Sequence, residues 1–139
     1  QLIILPFKPD NPDYRSLKIG EEHLMFLLPK NHRFARRKSL SLSELNGENM
    51  LLFSEIGFWA DIVSRKMPDS RFLVQTERYS FEELIANSIL PCFTSDLVVN
   101  GREELLGRRA VTIDDPEVNV SYYLVCKKET AREYSVLFK

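Results

Sequence analysis

The sequence predicts an α/β fold, and three observations carry that expectation. Short apolar runs of strand length alternate with capped amphipathic stretches through the middle of the chain. The composition, 44% hydrophobic and 28% charged, is that of a globular domain rather than a disordered one. The length of 139 residues is that of one domain, enough to bury roughly 70% of its unfolded surface without disulfide or metal staples. The alternation also points to largely parallel strand pairing.

The elements follow in order. Residues 2–6 form a short apolar run and read as a buried strand. Residues 8–13 hold two prolines, two aspartates and an asparagine, which makes a loop. Two strands are expected over 14–19 and 23–28, separated by a turn at Gly20. Residues 30–38 carry five cations, Lys30, Arg33, Arg36, Arg37 and Lys38, and read as a solvated surface loop. A phosphate or DNA contact is the less favoured reading, because no stacking platform or helix-turn-helix pattern accompanies it.

Ser41 to Glu44 fits a capping box that opens a short helix, and Gly47 stops it. Residues 50–53 are a buried strand. A helix over about 58–66 puts Phe58, Trp59, Ile62 and Val63 on one face, and Pro68 ends it. Residues 71–76 are the next strand. Ser80-Phe81-Glu82-Glu83 reads as a second capping box, with Phe81, Leu84 and Ile85 as the buried face. A strand over 89–94 is interrupted by Pro91, which places it at a crossover or edge. Ser95 caps a helix beginning at Asp96. Strands at 109–113 and 118–127 follow, and Thr130 to Glu133 is a third capping box, opening a C-terminal helix.

Several function classes lack support. The net charge of −1 does not suggest a nucleic-acid coat. The two histidines, His23 and His32, have no metal-ligand spacing, and no P-loop, dinucleotide fingerprint or nucleophile elbow occurs. Glu82-Glu83 suits a first helical turn and Asp114-Asp115 suits a turn before Pro116, so neither pair reads as catalytic. Neither an enzyme, a cofactor nor a metal site is therefore expected. Cys92 and Cys126 read as two buried thiols of a reducing cytosol rather than a disulfide. No apolar run approaches the ~18 residues of a membrane span, so no membrane partner is expected.

Ligands of open α/β folds lie beyond the carboxyl ends of strands, where backbone amides attract anions. Three such places are readable: after residues 50–53, after 71–76 and after 89–93. They offer Ser54, Gln75, Thr76, Ser80, Thr94 and Ser95 as polar groups, with Phe58 and Trp59 as an apolar wall. The candidate binding set is Ser54, Phe58, Trp59, Gln75, Thr76 and Ser80. The competing assignment makes the hydroxyls helix caps and the aromatics core.

The pattern resembles the effector-binding domain of LysR-type transcriptional regulators. LKIGEEHLMFLLPKNHRFARRKSLSLSEL is similar to that family's strand, P-x-x-H turn and following helix. MLLFSEIGFW is similar to the next strand and loop, SFEELIANSILPCFTSDLV to the family's helix and following strand, and NVSYYLVCKKE to its closing strand. One departure is the absence of the family's glycines near residues 87–90. The resemblance implies a type 2 periplasmic-binding-protein-like fold: residues 1–16 end a first lobe and cross over, 17–92 form the second lobe, and 93–139 return to the first. It further implies a cytoplasmic, homo-oligomeric sensor of a small-molecule effector, possibly a carboxylate, with DNA bound only through an N-terminal domain outside this chain. A solute-binding protein of a transporter and an α/β enzyme fragment are the alternatives.

Overall fold

The computed structural model describes residues 1–100 and 107–138. Of the expected return segment 93–139, residues 101–106 and 139 lie outside the described residues. The contacts divide the chain into two compact units, one of Gln1–Glu22 with Asn119–Lys139 and the other of His23–Val118.

The first unit is built on β1 (Leu2–Leu5), the first part of β2 (Tyr14–Pro29) and β8 (Asn119–Lys127). β8 lies between β1 and β2, and β1 pairs with it antiparallel, Leu2 opposite Cys126 and Leu5 opposite Tyr123. Cys126, Ala131 and Phe138 form its small core, with Leu2, Leu17, Leu124 and Tyr134 packed around them. Arg15 lies over the Phe138 ring, 5.3 Å from its centroid, and donates to the Phe138 carbonyl at 2.9 Å. The Tyr122 hydroxyl donates to Glu22 at 2.7 Å. Burial, then this contact, pushes the phenol up to about 12.

The second unit holds the larger core. The later part of β2 carries Leu24, Phe26, Leu27 and Leu28, all buried, so this stretch is covered on both faces. It pairs antiparallel with β6 (Cys92–Ser95) on one side and β7 (Arg108–Ile113) on the other. The short β3 (Ser39–Leu40) adds to β7 in parallel. β4 (Asn49–Phe53) and β5 (Arg71–Gln75) form a separate parallel pair. Among the described residues three α-helices complete the unit: α1 (Trp59–Lys66), α2 (Arg78–Asn87) and α3 (Asp96–Val99). α1 buries Trp59, Ile62 and Val63, its apolar face at i, i+3 and i+4 spacing. Leu27, Leu51, Phe81, Ile85, Cys92 and Val99 form one continuous cluster.

Punctuation explains several boundaries. Gly47 at φ 96° ends the 3-10 turn Leu42–Leu45, and Gly57 at φ 70° separates a 3-10 turn at Ser54–Ile56 from α1. The Ser41 N–H donates to Glu44 at 2.8 Å, the expected reciprocal bond of a capping box, and this bond holds the Glu44 carboxyl below its usual range. Ser95 caps α3, accepting from the Val98 N–H at 3.2 Å. The basic turn is braced: Arg33 and His32 both reach Glu48, Arg37 reaches Glu44, and Arg33 lies over the Phe34 ring.

Five expectations are corrected. The strands expected at 14–19 and 23–28 are one 16-residue strand, because Gly20 stays extended and nothing forces a turn there. Strand pairing is not largely parallel: of the pairings with described register, three are antiparallel and two parallel. β1 is not buried, since Ile4 is 60% exposed on a strand paired with one neighbour. α2 begins at Arg78, so Ser80 is its third residue rather than its cap, and Glu77 occupies the N-cap position. The expected C-terminal helix is a 3-10 segment from Lys128 to Tyr134, in which the Thr130 hydroxyl donates back to the Lys127 carbonyl at 3.1 Å.

Candidate functional site

The parallel register of β4 and β5 sets Phe53 opposite Gln75, so the two strands end side by side. The Leu51 N–H donates to the Pro91 carbonyl at 2.9 Å, which ties β4 to the chain entering β6. Helices α2 and α3 start just beyond the ends of β5 and β6. This edge of the second unit therefore gathers strand carboxyl ends and helix starts, the arrangement that favours ligands in α/β folds.

A cavity of about 110 Å³ lies there, lined by Arg78, Phe81, Glu82, Phe93, Thr94 and Val98, with Leu27, Ile85 and Val99 completing its apolar wall. Phe53 lies tilted against Phe81 at 5.4 Å between centroids, and the Arg78 guanidinium lies over the Phe53 ring at 4.5 Å. Phe93 stacks on Phe26 at 5.3 Å. The result is an aromatic and aliphatic surface bearing one cation, one carboxylate and one hydroxyl. A pocket of this size, below the usual ~300–1,000 Å³ of ligand sites, takes a single ring or a short chain.

The residues singled out from sequence divide as follows. Ser54 and Thr76 are exposed and leave the ends of β4 and β5 together. Gln75 is half-buried and its side-chain amide donates to the Val74 carbonyl at 3.1 Å. Ser80 is half-buried within the first turn of α2. Phe58 is 48% exposed, its ring 4.9 Å from that of Trp59. Trp59 is buried, with its indole N–H donating to the Val118 carbonyl at 2.9 Å. None of these six lines the cavity; Thr94 does.

Arg78 was missed. The expected cap at Ser80 leaves it outside the helix; with α2 starting at Arg78, a cation in the first turn opposes the dipole, so its placement there calls for another reason. Arg108 was missed too. It is the first residue of β7, only 1% exposed, and every guanidinium nitrogen donates to backbone carbonyls. Nε and Nη2 reach Ile85 at 3.2 and 3.1 Å, Nη2 reaches Ser88 at 2.8 Å, and Nη1 reaches Leu90 at 2.7 Å and Leu27 at 3.2 Å. Burial lowers the Arg108 pKa from its ordinary value. Burial likewise pushes the adjacent Cys92 thiol up to about 12, against the opposing pull of Arg108. That thiol is neutral and inert at ordinary pH.

Among the described residues, no group of three or more His, Cys, Asp or Glu is placed to hold a metal ion. None of the described helices is long and apolar enough to cross a membrane.

The family model described as the LysR substrate binding domain matches residues 1–136. The regulatory domain of MetR, a LysR family regulator from N. meningitidis, superposes with a TM-score of 0.75 at 10% identity, covering 97% of this chain and 64% of that one. The reduced form of the OxyR regulatory domain from Pseudomonas aeruginosa gives 0.66 at 18% identity, covering 98% and 66%. The effector binding domain of QuiR in complex with shikimate gives 0.62 at 15% identity, covering 91% and 62%. The chain thus spans a little under two thirds of the length of these domains. No curated sequence matches it.

Proposed function

Since the chain belongs to the LysR substrate binding domain family, we propose that it is the effector-sensing portion of a cytoplasmic LysR-family regulator of transcription. The unit His23–Val118 is taken as the second lobe, and Gln1–Glu22 with Asn119–Lys139 as parts of the first. The resemblance itself implies limits of 17–92 for the second lobe and 93–139 for the return. The role is non-catalytic binding. An effector that favours one arrangement of the protein shifts its population, and the shift biases a homo-oligomer and the DNA-binding domains attached to it.

The effector is a small anion with an apolar body, such as a monocarboxylate bearing one ring. The observation that carries this is the pairing of Arg78 with the Phe53, Phe81 and Phe93 surface around the cavity. The guanidinium is positioned to hold a carboxylate, Thr94 supplies a hydroxyl, and the aromatics take the apolar body. Ser54 and Thr76, at the adjoining strand ends, add polar contacts. Benzoate and its neutral isostere benzamide test the reading by calorimetric titration. Benzoate is expected to bind, benzamide at least tenfold more weakly, and Arg78→Gln removes the difference. Equal affinity for the two compounds sinks the anion assignment. A full-length protein whose promoter affinity never responds to any small molecule sinks the sensing role.

A further inference from the structure

Arg108 is the only buried charged side chain among the described residues, and the site above makes no direct use of it. Its partners share a theme. Ile85 lies in the last turn of α2, Ser88 is that helix's C-cap, and Leu90 follows two residues later, while Leu27 belongs to β2. The last four carbonyls of a helix lack partners within it and need outside donors. Here the usual local devices are missing. The C-cap Ser88 is extended rather than left-handed, and the last turn contains no basic residue. Of those four carbonyls, that of Ile85 is satisfied by Arg108, more than twenty positions away in sequence.

We propose that Arg108 is a positioning residue for α2, fixing the end of the helix against β7 and β2 so that the cavity wall at its start stands in one place. α2 has ten residues, so roughly 15 Å of rigid rod joins the two ends. Arg78, Phe81 and Glu82 line the cavity from the first half of this rod, and Ile85 both lines the cavity and accepts from Arg108. A displacement of the cavity wall therefore reaches the first residue of β7 through the guanidinium. The guanidinium suits the task because its planar fork serves four separate carbonyls at once. Lysine, with three donors on one nitrogen, cannot span them.

The part of this inference that concerns ligand affinity rests on the effector reading above, while the part that concerns α2 stands independently. Hydrogen exchange on the full chain, read by mass spectrometry, compares the wild type with Arg108→Lys. Met67→Ala, in the buried core beside α1, serves as a control for general loss of stability. Arg108→Lys is expected to speed exchange in residues 78–90 tenfold or more beyond any change in the rest of the unit, and the control to show no such focus. A uniform rise across residues 23–118 overturns the proposal. Benzoate titration gives the second readout, with affinity falling at least tenfold in Arg108→Lys and staying within twofold in Met67→Ala. Equal losses in both variants overturn the positioning role. If the wild type binds no benzoate, the effector reading fails and the exchange data alone decide the role of Arg108. Should Arg108→Lys not fold, the wild-type profile decides: residues 84–90 must be as protected as residues 24–28, and fraying there overturns the proposal.

Discussion

The two arginines associated with α2 make an instructive pair. Arg78 opens the helix, is exposed, and lays its guanidinium on the Phe53 ring at 4.5 Å. Arg108 sits at the other end, is buried, and has its nitrogens on four backbone carbonyls. The same side chain does opposite jobs. At Arg78 the donors of a planar cation remain in reach of solvent and of the anion proposed to bind there. At Arg108 the cation is part of the backbone hydrogen-bond accounting of the fold. Burial decides which job an arginine takes, because a desolvated guanidinium survives only where each donor meets an acceptor.

The largest effect should come from breaking the buried member. Arg108→Met removes the donors and leaves the carbonyls of Ile85, Ser88 and Leu90 short of partners, with an expected loss of about 4 kcal/mol in urea unfolding. A loss below about 1 kcal/mol would make Arg108 a spectator and erase the contrast. A neutral buried donor comes next. Trp59→Phe deletes the indole N–H that serves the Val118 carbonyl and leaves a small void, with an expected loss of about 2 kcal/mol.

Tyr122 sharpens the comparison with a half-buried group. Its phenol is raised from 10 to about 12. A raised value means the folded state holds the proton more tightly. The contribution is therefore complete below pH 10 and disappears as the pH rises through about 12. Stability measured from pH 9 to 12 should decline more steeply in the wild type than in Tyr122→Phe, and identical slopes would refute the assignment. The exposed member of the pair comes last. Arg78→Gln should change stability by less than about 0.5 kcal/mol, as expected for a surface position. A loss like that of Arg108→Met would show Arg78 to be structural and would undo the contrast from the other side.

The same principle explains what was legible in the sequence. The Trp59, Ile62 and Val63 face of α1, the face of α2, the strand expected at 50–53 and the Ser95 cap follow from local periodicity and cap chemistry, and the structure has them. Phe58, expected on the same face of α1, instead stands exposed at its N-cap. The continuity of β2 was not legible, because a glycine followed by two glutamates reads as a turn until the partner strands are known. Ser80 fits a capping box by spacing, yet α2 already starts at Arg78, and packing of Phe81 and Ile85 overrides the local signal. Arg108-Arg109 looks like a surface pair in sequence. Only tertiary contacts to residues 85–90 and to Leu27 reveal that one of the two is core. None of the six candidate residues read from the strand ends lines the cavity, because its lining side chains, Arg78, Phe81 and Phe93 among them, depend on how α2 and β6 face one another.

The two thiols carry a practical consequence. One cysteine falls in each compact unit, Cys126 in the first and Cys92 in the second, and both are free and buried. A thiol reagent can reach either only when its surroundings open, so each cysteine is a chemical clock for its own unit. Labelling the native protein and resolving the two sites by peptide mapping would give two separate opening rates from one sample, with no engineered probe and no mutation.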